Sequence, residues 1–215
     1  MSEPKFICDT GCIKLAFWLR SLGYDCAHYC DLEKAESGGH RGLFERAIEE
    51  NRIIVTRSPR ITERRDCPPF FLLAKTTDHP FTDYYNLIKK FNLEYRDDRF
   101  YSRCVNCNCE FDSYPSVYFT GGTDDKGQVY EPHEPFDDIP ADLVKKNYVV
   151  DGQPQTFKKC QDQDPYIKCG KAYWWGHQAQ VAKATTEKQF QQYLNYQPEL
   201  ANEKADPNQS SDLAQ

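Results

Sequence analysis

Four cysteines carry the strongest chemical signal in this 215-residue chain: Cys104 and Cys107 in Cys-x-x-Cys spacing, then Cys160 and Cys169 far downstream. A tetrahedral zinc site needs four soft or borderline ligands, and a Cys-x-x-Cys turn supplies two of them on one knuckle. The Cys169-Gly170-Lys171 stretch reads as part of a second knuckle. Between residues 101 and 176 the chain is rich in cysteine, proline and aspartate and has few periodic apolar segments. Metal ligation would there replace a missing core as the source of folding free energy. The gap between Cys160 and Cys169 is irregular for a knuckle, which leaves Cys109 and His177 as substitute ligands. A thiol redox pair at Cys104 and Cys107 is the competing reading. Such pairs usually open a helix after a strand, whereas Asn108–Asp112 shows no helical period. Cys8, Cys12, Cys26, Cys30 and Cys67 lie in or beside apolar segments and read as small core residues.

Two further groups could do chemistry. Asp9 and Asp25 each stand near the end of an N-terminal strand segment. Carboxylates gathered beyond the carboxyl ends of parallel strands can hold a divalent ion, magnesium or manganese, that activates water. The plainer alternative for Asp9 is a helix N-cap. Arg52, Arg57, Arg60, Arg64 and Arg65 fall within fourteen residues, with Glu63 the only acid among them. The guanidinium fork matches phosphate, so this cluster could grip a nucleic-acid backbone; a solvated loop face is the alternative. Phe100, Tyr101, Tyr173, Trp174 and Trp175 flank the cysteines and could stack on bases or pack over a metal site.

These residues must be positioned by the segments around them, and the first hundred residues alternate strand and helix. Lys5–Asp9 is a short apolar run. Gly11–Leu22 puts Cys12, Leu15, Ala16, Leu19 and Leu22 on one helical stripe closed by Gly23. Tyr24–Tyr29 reads as a strand, Ser37-Gly38-Gly39 as a loop, Arg41–Glu50 as a helix, Ile53–Thr56 and Phe70–Ala74 as strands, and Phe81–Phe91 as a helix. Such alternation predicts an α/β fold with a mainly parallel sheet and helices on its faces. The organisation expected is an α/β unit over residues 1–100, a metal-stapled unit over 101–177, and a Gln-rich tail over 178–215. Within that tail Gln178–Tyr196 reads as an exposed helix and Gln197–Gln215 as disordered.

Composition narrows the function classes. With 27 basic and 33 acidic residues the chain carries a net charge of −6, which counts against coating nucleic acid through global charge but leaves room for a local basic patch. The longest apolar runs, such as Pro68–Ala74, fall far short of the ~18 residues a membrane crossing takes. The N-terminus lacks the long apolar stretch of a signal peptide. An intracellular protein, cytoplasmic or nuclear, with no membrane partner is expected.

Taken in order, four blocks resemble the Mut-7 C-terminal RNase domain family, a PIN-like ribonuclease domain joined to a zinc ribbon. They are Phe6-Ile7-Cys8-Asp9 with Leu15–Asp25; Arg52–Arg57; Ser102-Arg103-Cys104-Val105-Asn106-Cys107-Asn108; and Cys169–His177. The resemblance runs over nearly all of residues 5–177. It implies a Rossmann-like PIN sheet, metal-dependent attack on RNA phosphodiesters, and a structural zinc. Two departures bear on activity: Ser58 and Pro59 follow the Thr-Arg where many relatives place an aspartate, and His40 and Arg41 stand where a second-helix acid is expected. A third is the last knuckle, stretched to Cys160 and Cys169, with Tyr166 at the expected ligand position.

Two functional expectations follow. In one the protein is a ribonuclease of reduced activity, with Asp9 and Asp25 on magnesium or manganese, and Arg57 and Arg60 clamping phosphate. In the other it is an RNA-binding or scaffold module without turnover, able to engage a protein partner through the zinc ribbon or tail. Asp31, Glu33, Glu36 and Glu45 are the carboxylates that could replace a missing ligand.

Overall fold

The computed structural model describes residues 3–74, 81–111, 122–123, 129–130, 149–150, 153–154, 157–160, 169, 171–174 and 176–196. Four short strands, β1 (Phe6–Cys8), β2 (Cys26–His28), β3 (Ile53–Thr56) and β4 (Phe71–Leu73), form a parallel sheet in the order β2-β1-β3-β4. Phe6 pairs with Cys26 on one side and Ile53 on the other, so β1 is central. Helices α1 (Ile13–Ser21), α2 (Asp31–Ser37), α3 (His40–Glu49) and α4 (Pro59–Thr62) fill the crossovers, and α5 (Thr82–Phe91) follows β4. This is the mixed α/β architecture expected.

Strand alternation sends side chains to two buried faces, because successive residues point to opposite sides of a sheet. Phe6, Cys8, Cys26 and Val55 join Leu15, Leu19, Leu72, Leu87 and Ile88 under α1 and α5. Ile7, Ala27 and Ile54 join Leu43, Phe44 and Ala47 under α3. Gly23 ends α1 at φ +86°, and a Cβ there would sit 2.5 Å from the Arg99 carbonyl oxygen. Only glycine fits that left-handed turn and close approach together.

The final helix, α6 (His177–Leu194), corrects one expectation. Its sequence reads as an exposed helix, yet Phe190 and Tyr193 are buried in the same core as Trp18. Tyr193 stacks on Tyr84 at 4.4 Å between ring centroids, and Phe190 stacks on Trp18 at 6.2 Å. The reason is a narrow stripe: two aromatics supply enough apolar area to anchor a helix whose other faces are Gln-rich and solvated. Residues 197–215, expected to be disordered, lie outside the described residues.

After residue 100 the described strands are antiparallel pairs: β5 (Gly122–Thr123) with β6 (Val129–Tyr130), β7 (Val149–Val150) with β8 (Gln153–Pro154), and β9 (Phe157–Lys159) with β10 (Ala172–Trp174). Among the described residues no helix is long and apolar enough to cross a membrane.

Candidate functional site

Two sites occupy opposite edges of the parallel sheet. The amino edge carries the cysteines. Arg103 and Glu110 form an antiparallel bridge, and within it the Cys104 N–H donates to the Cys109 carbonyl at 2.8 Å while the Asn108 N–H donates to the Cys104 carbonyl at 2.8 Å. That turn is the first knuckle. The β9–β10 pair supplies the second: Cys160 follows β9, and its N–H donates to the Lys171 carbonyl at 2.8 Å, continuing the ladder. The irregular Cys160–Cys169 spacing is thus bridged by two adjacent antiparallel strands.

The ligand sulfurs of Cys104, Cys107, Cys160 and Cys169 all lie within 4.8 Å of one another, and the group could hold a metal ion. Cys104 Sγ is 3.5 Å from Cys169 Sγ, and Cys107 Sγ is 2.9 Å from Cys160 Sγ. A zinc–sulfur bond of ~2.3 Å in a tetrahedron places its sulfurs about 3.8 Å apart, so the cluster needs only small adjustment to close on an ion. Cys109, a substitute by sequence, is buried beside the four but is not one of the grouped ligands. His177 opens α6 and is exposed. Trp175 and Tyr166 lie outside the described residues. Among the described residues, 108–111 form no helix after Cys107, contrary to the redox reading.

Electrostatics explains why this group calls for a cation. Cys104 is pulled down to about 4, first by the hydrogen bond from Cys107 and, against the effect of burial, by Tyr173 Oη at 3.2 Å and backbone N–H groups. Cys107 is pushed far up by its bond to Cys104 and by burial, and Cys160 is pushed up by burial. One thiolate suppresses the next unless positive charge is placed among them.

The knuckle is fastened to the sheet. Arg20 on α1, 1% exposed, donates from Nε to the Cys26 carbonyl at 2.7 Å, and from Nη1 to the Val105 and Asn106 carbonyls at 2.9 and 2.6 Å. Asn108 Oδ1 accepts from the Cys26 N–H at 2.9 Å, and Asn108 Nδ2 donates to Asp25 Oδ1 at 2.7 Å.

Asp25 therefore does not share a site with Asp9. It precedes β2, whereas Asp9 follows β1, and the strands run parallel in register. About three residues of strand, roughly 10 Å, separate the two edges. Arg52 Nη1 donates to Asp25 Oδ1 at 2.6 Å, and Arg52 also pairs with Glu50. Burial raises Asp25, but the Arg52 bond and charge, with Asn108, bring it below its ordinary value. The expected arginine cluster divides for the same reason. Arg52 precedes β3 and serves the amino edge, whereas Arg57 follows β3 and Arg60, Arg64 and Arg65 continue from it, exposed, at the other. Arg64 pairs with Asp66 at 2.8 Å.

The carboxyl edge has its own constellation. With β1 central, the chain crosses to β2 on one side and β3 on the other, so the crevice between the ends of β1 and β3 is the topological switch point where such sheets bind ligands. Asp9, 5% exposed, lies in it. Its Oδ1 accepts from the Gly11 N–H at 3.0 Å, which makes it the cap anticipated from sequence, and its Oδ2 accepts from Thr56 Oγ1 on β3. The Ser58 N–H donates to Thr56 Oγ1 at 3.0 Å. Lys34 Nζ reaches Thr10 Oγ1 at 2.9 Å. Capping does not exhaust a carboxylate, since each oxygen keeps a second acceptor direction.

Sequence reasoning missed Asp83. It sits in the first turn of α5, 4% exposed, and Arg57 grips it one-sidedly: Nε at 3.2 Å and Nη2 at 2.7 Å both reach Oδ2. Arg57 Nη1 also donates to the Gly11 carbonyl at 3.3 Å, tying Asp83 to the Asp9 turn. Oδ1 of Asp83 has no hydrogen-bond partner. The signal available in sequence was its place at the start of the helix after β4, which must begin at the carboxyl edge. Of the replacement carboxylates considered, Glu33 pairs with Arg46 at 2.8 Å and Glu45 with Arg41 at 2.7 Å. The Asp31 side chain lies outside the described residues. Among the described residues the four cysteines are the only group of three or more His, Cys, Asp or Glu ligands within mutual reach.

A parallel α/β sheet with a buried carboxylate at its switch point is thus joined to a four-cysteine cluster that could hold a metal ion. The chain belongs to the Mut7-C RNAse domain family, which it matches over residues 4–137. That span holds both edges of the sheet and the first knuckle; Cys160 and Cys169 lie beyond it. The membership suggests an RNA-acting, nuclease-like function. No curated protein and no solved structure matches the chain.

Proposed function

We propose that the protein acts on single-stranded RNA at the carboxyl-edge crevice, with slow metal-dependent phosphodiester hydrolysis, and that the four cysteines hold a structural zinc. The observation that carries this reading is Asp9, buried at the β1/β3 switch point with Arg57 beside it, in a chain of an RNase family. Magnesium or manganese bound there would supply charge neutralisation and an activated water. Asp9 would hold the ion, Arg57 would meet the phosphate, and exposed Arg60, Arg64 and Arg65 would extend the track along the backbone. Ions of this kind are commonly bound by one or two carboxylates plus substrate phosphates. Low turnover is therefore expected where Ser58 replaces an aspartate.

The second reading, an RNA-binding module without turnover, is favoured by one observation: Asp25 is committed to Arg52 and Asn108 at the other edge, so the expected pair is broken. In either reading the division at residues 100 and 177 describes an RNA-facing unit and its metal-stapled appendage.

Incubation of labelled single-stranded RNA with the zinc-loaded protein and manganese separates the two. Cleavage that Asp9→Asn abolishes supports the enzyme. Binding that falls with rising salt and weakens in Arg57→Ala, without cleavage, supports the module. Equal cleavage by wild type and Asp9→Asn, together with salt-insensitive binding, would sink both.

A further inference from the structure

Asp83 is a buried charge with half of its acceptor capacity unused. A buried carboxylate oxygen without a donor is costly, so such an atom persists where something else meets it. Arg57 could have met both oxygens with its planar fork. Instead Nε and Nη2 converge on Oδ2 and the third nitrogen turns to the Gly11 carbonyl. The turn containing Gly11 is the one Asp9 caps. The Cys12 N–H, at the end of that turn, donates to the Asp9 carbonyl at 2.9 Å, so Arg57 ties Asp83 to the turn that Asp9 opens and caps.

We infer that Asp83 is a second carboxylate ligand for a divalent cation at the β1/β3 crevice, its free Oδ1 acting with Asp9 to hold a magnesium- or manganese-class ion. The inference rests on the RNA-acting reading of that crevice and deepens it: the carboxylate missing at Ser58 is replaced from α5, on the far side of Arg57. Two ligands fit a hard oxygen-seeking ion that keeps several waters until a phosphate arrives. The first turn of α5 suits a carboxylate, since the helix dipole favours negative charge there. Arg57 then holds Oδ2 and so aims Oδ1.

The test is manganese alone, titrated into the zinc-loaded chain and followed by the electron paramagnetic resonance signal of the free ion. Asp83→Asn and Asp9→Asn should each weaken binding about tenfold or more, and the double variant should be little worse than either single one, because both remove the same bound ion. Asp98→Asn, an exposed carboxylate paired with Arg96, should bind as wild type does. Should Asp83→Asn fail to fold, paramagnetic broadening in the wild-type protein gives the answer. Amides of Gly11 and Cys12 should broaden together with those of Thr82–Tyr84. Wild-type affinity in a folded Asp83→Asn, or broadening confined to the Gly11 turn, overturns the inference. If manganese ignores Asp83 while RNA still binds in a salt-sensitive, Arg57-dependent way, the inference falls and the RNA-acting reading stands.

Discussion

At the amino edge of the sheet, four sulfurs, a buried guanidinium and three carbonyls are engaged with one another, and Asn108 uses both ends of its amide. At the carboxyl edge, a buried oxygen of Asp83 has no partner and Arg57 is 39% exposed. Both edges can attract a cation, but they differ in what the cation would do. Soft ligands that close around an ion leave it no open position, so the cysteine centre suits structure. Hard ligands that leave most of the shell to water and phosphate suit chemistry. The same sheet separates the two by the length of its strands, so a folding metal and a reacting metal need not compete for ligands.

The largest effect expected from this contrast is on the cysteine side. Stoichiometric zinc should be found in protein purified without chelator, and removing it should unfold the segment from Cys104 to Trp174. Structural zinc sites contribute about 10 kcal/mol or more. A chelator should therefore lower the thermal midpoint and abolish the knuckle amide signals, and Cys104→Ser should do the same. Because ligand thiols must be deprotonated, acidification should release the metal: affinity falls as pH falls. Metal-free protein with an unchanged unfolding curve would remove the distinction between the two edges.

Next in size is the link between knuckle and sheet. Arg20→Met preserves the apolar stem and deletes the donors to Cys26, Val105 and Asn106. Leaving three carbonyls unmet should cost about 3–5 kcal/mol in denaturant unfolding. Zinc should stay bound, since no ligand is touched. A loss below about 1 kcal/mol would mean that the appendage merely rests on the sheet.

Legibility in the sequence divides along the same line. The sheet and its helices could be read because apolar period and glycine punctuation are local; Gly23 and the Ile53–Thr56 run mark their elements unaided. The cysteine set was legible because thiolate spacing is a chemical rule. The carboxyl-edge crevice was half legible. Asp9 follows its strand directly, but Asp25 is the second residue of the Tyr24–Tyr29 segment and stands just before β2, so grouping it with Asp9 overlooked that parallel strands put their starts and ends at opposite edges. Asp83 could not be chosen among many acids, since its significance is that Arg57 covers one oxygen and leaves the other. The α6 anchor was missed because two aromatics in a Gln-rich helix make a weak period.

The smallest predicted effect sharpens the comparison by acting on one edge alone. Asp25→Asn removes a carboxylate that Arg52 and Asn108 hold below its ordinary value. A group whose folded value is depressed contributes stability above its unfolded value, near pH 4, and loses that contribution as pH falls through the folded value. Wild type should therefore exceed Asp25→Asn by about 1–2 kcal/mol at neutral pH, because Arg52 keeps Glu50 as a partner. The difference should shrink steadily in denaturant curves taken below pH 4. Manganese affinity and any RNA cleavage should be unchanged, since Asp25 lies on the amino edge with the knuckle. A loss of either in a stably folded Asp25→Asn would show that the two edges are coupled, and Asp25 would have to act through Arg52 and β3 on the Thr56–Asp9 contact.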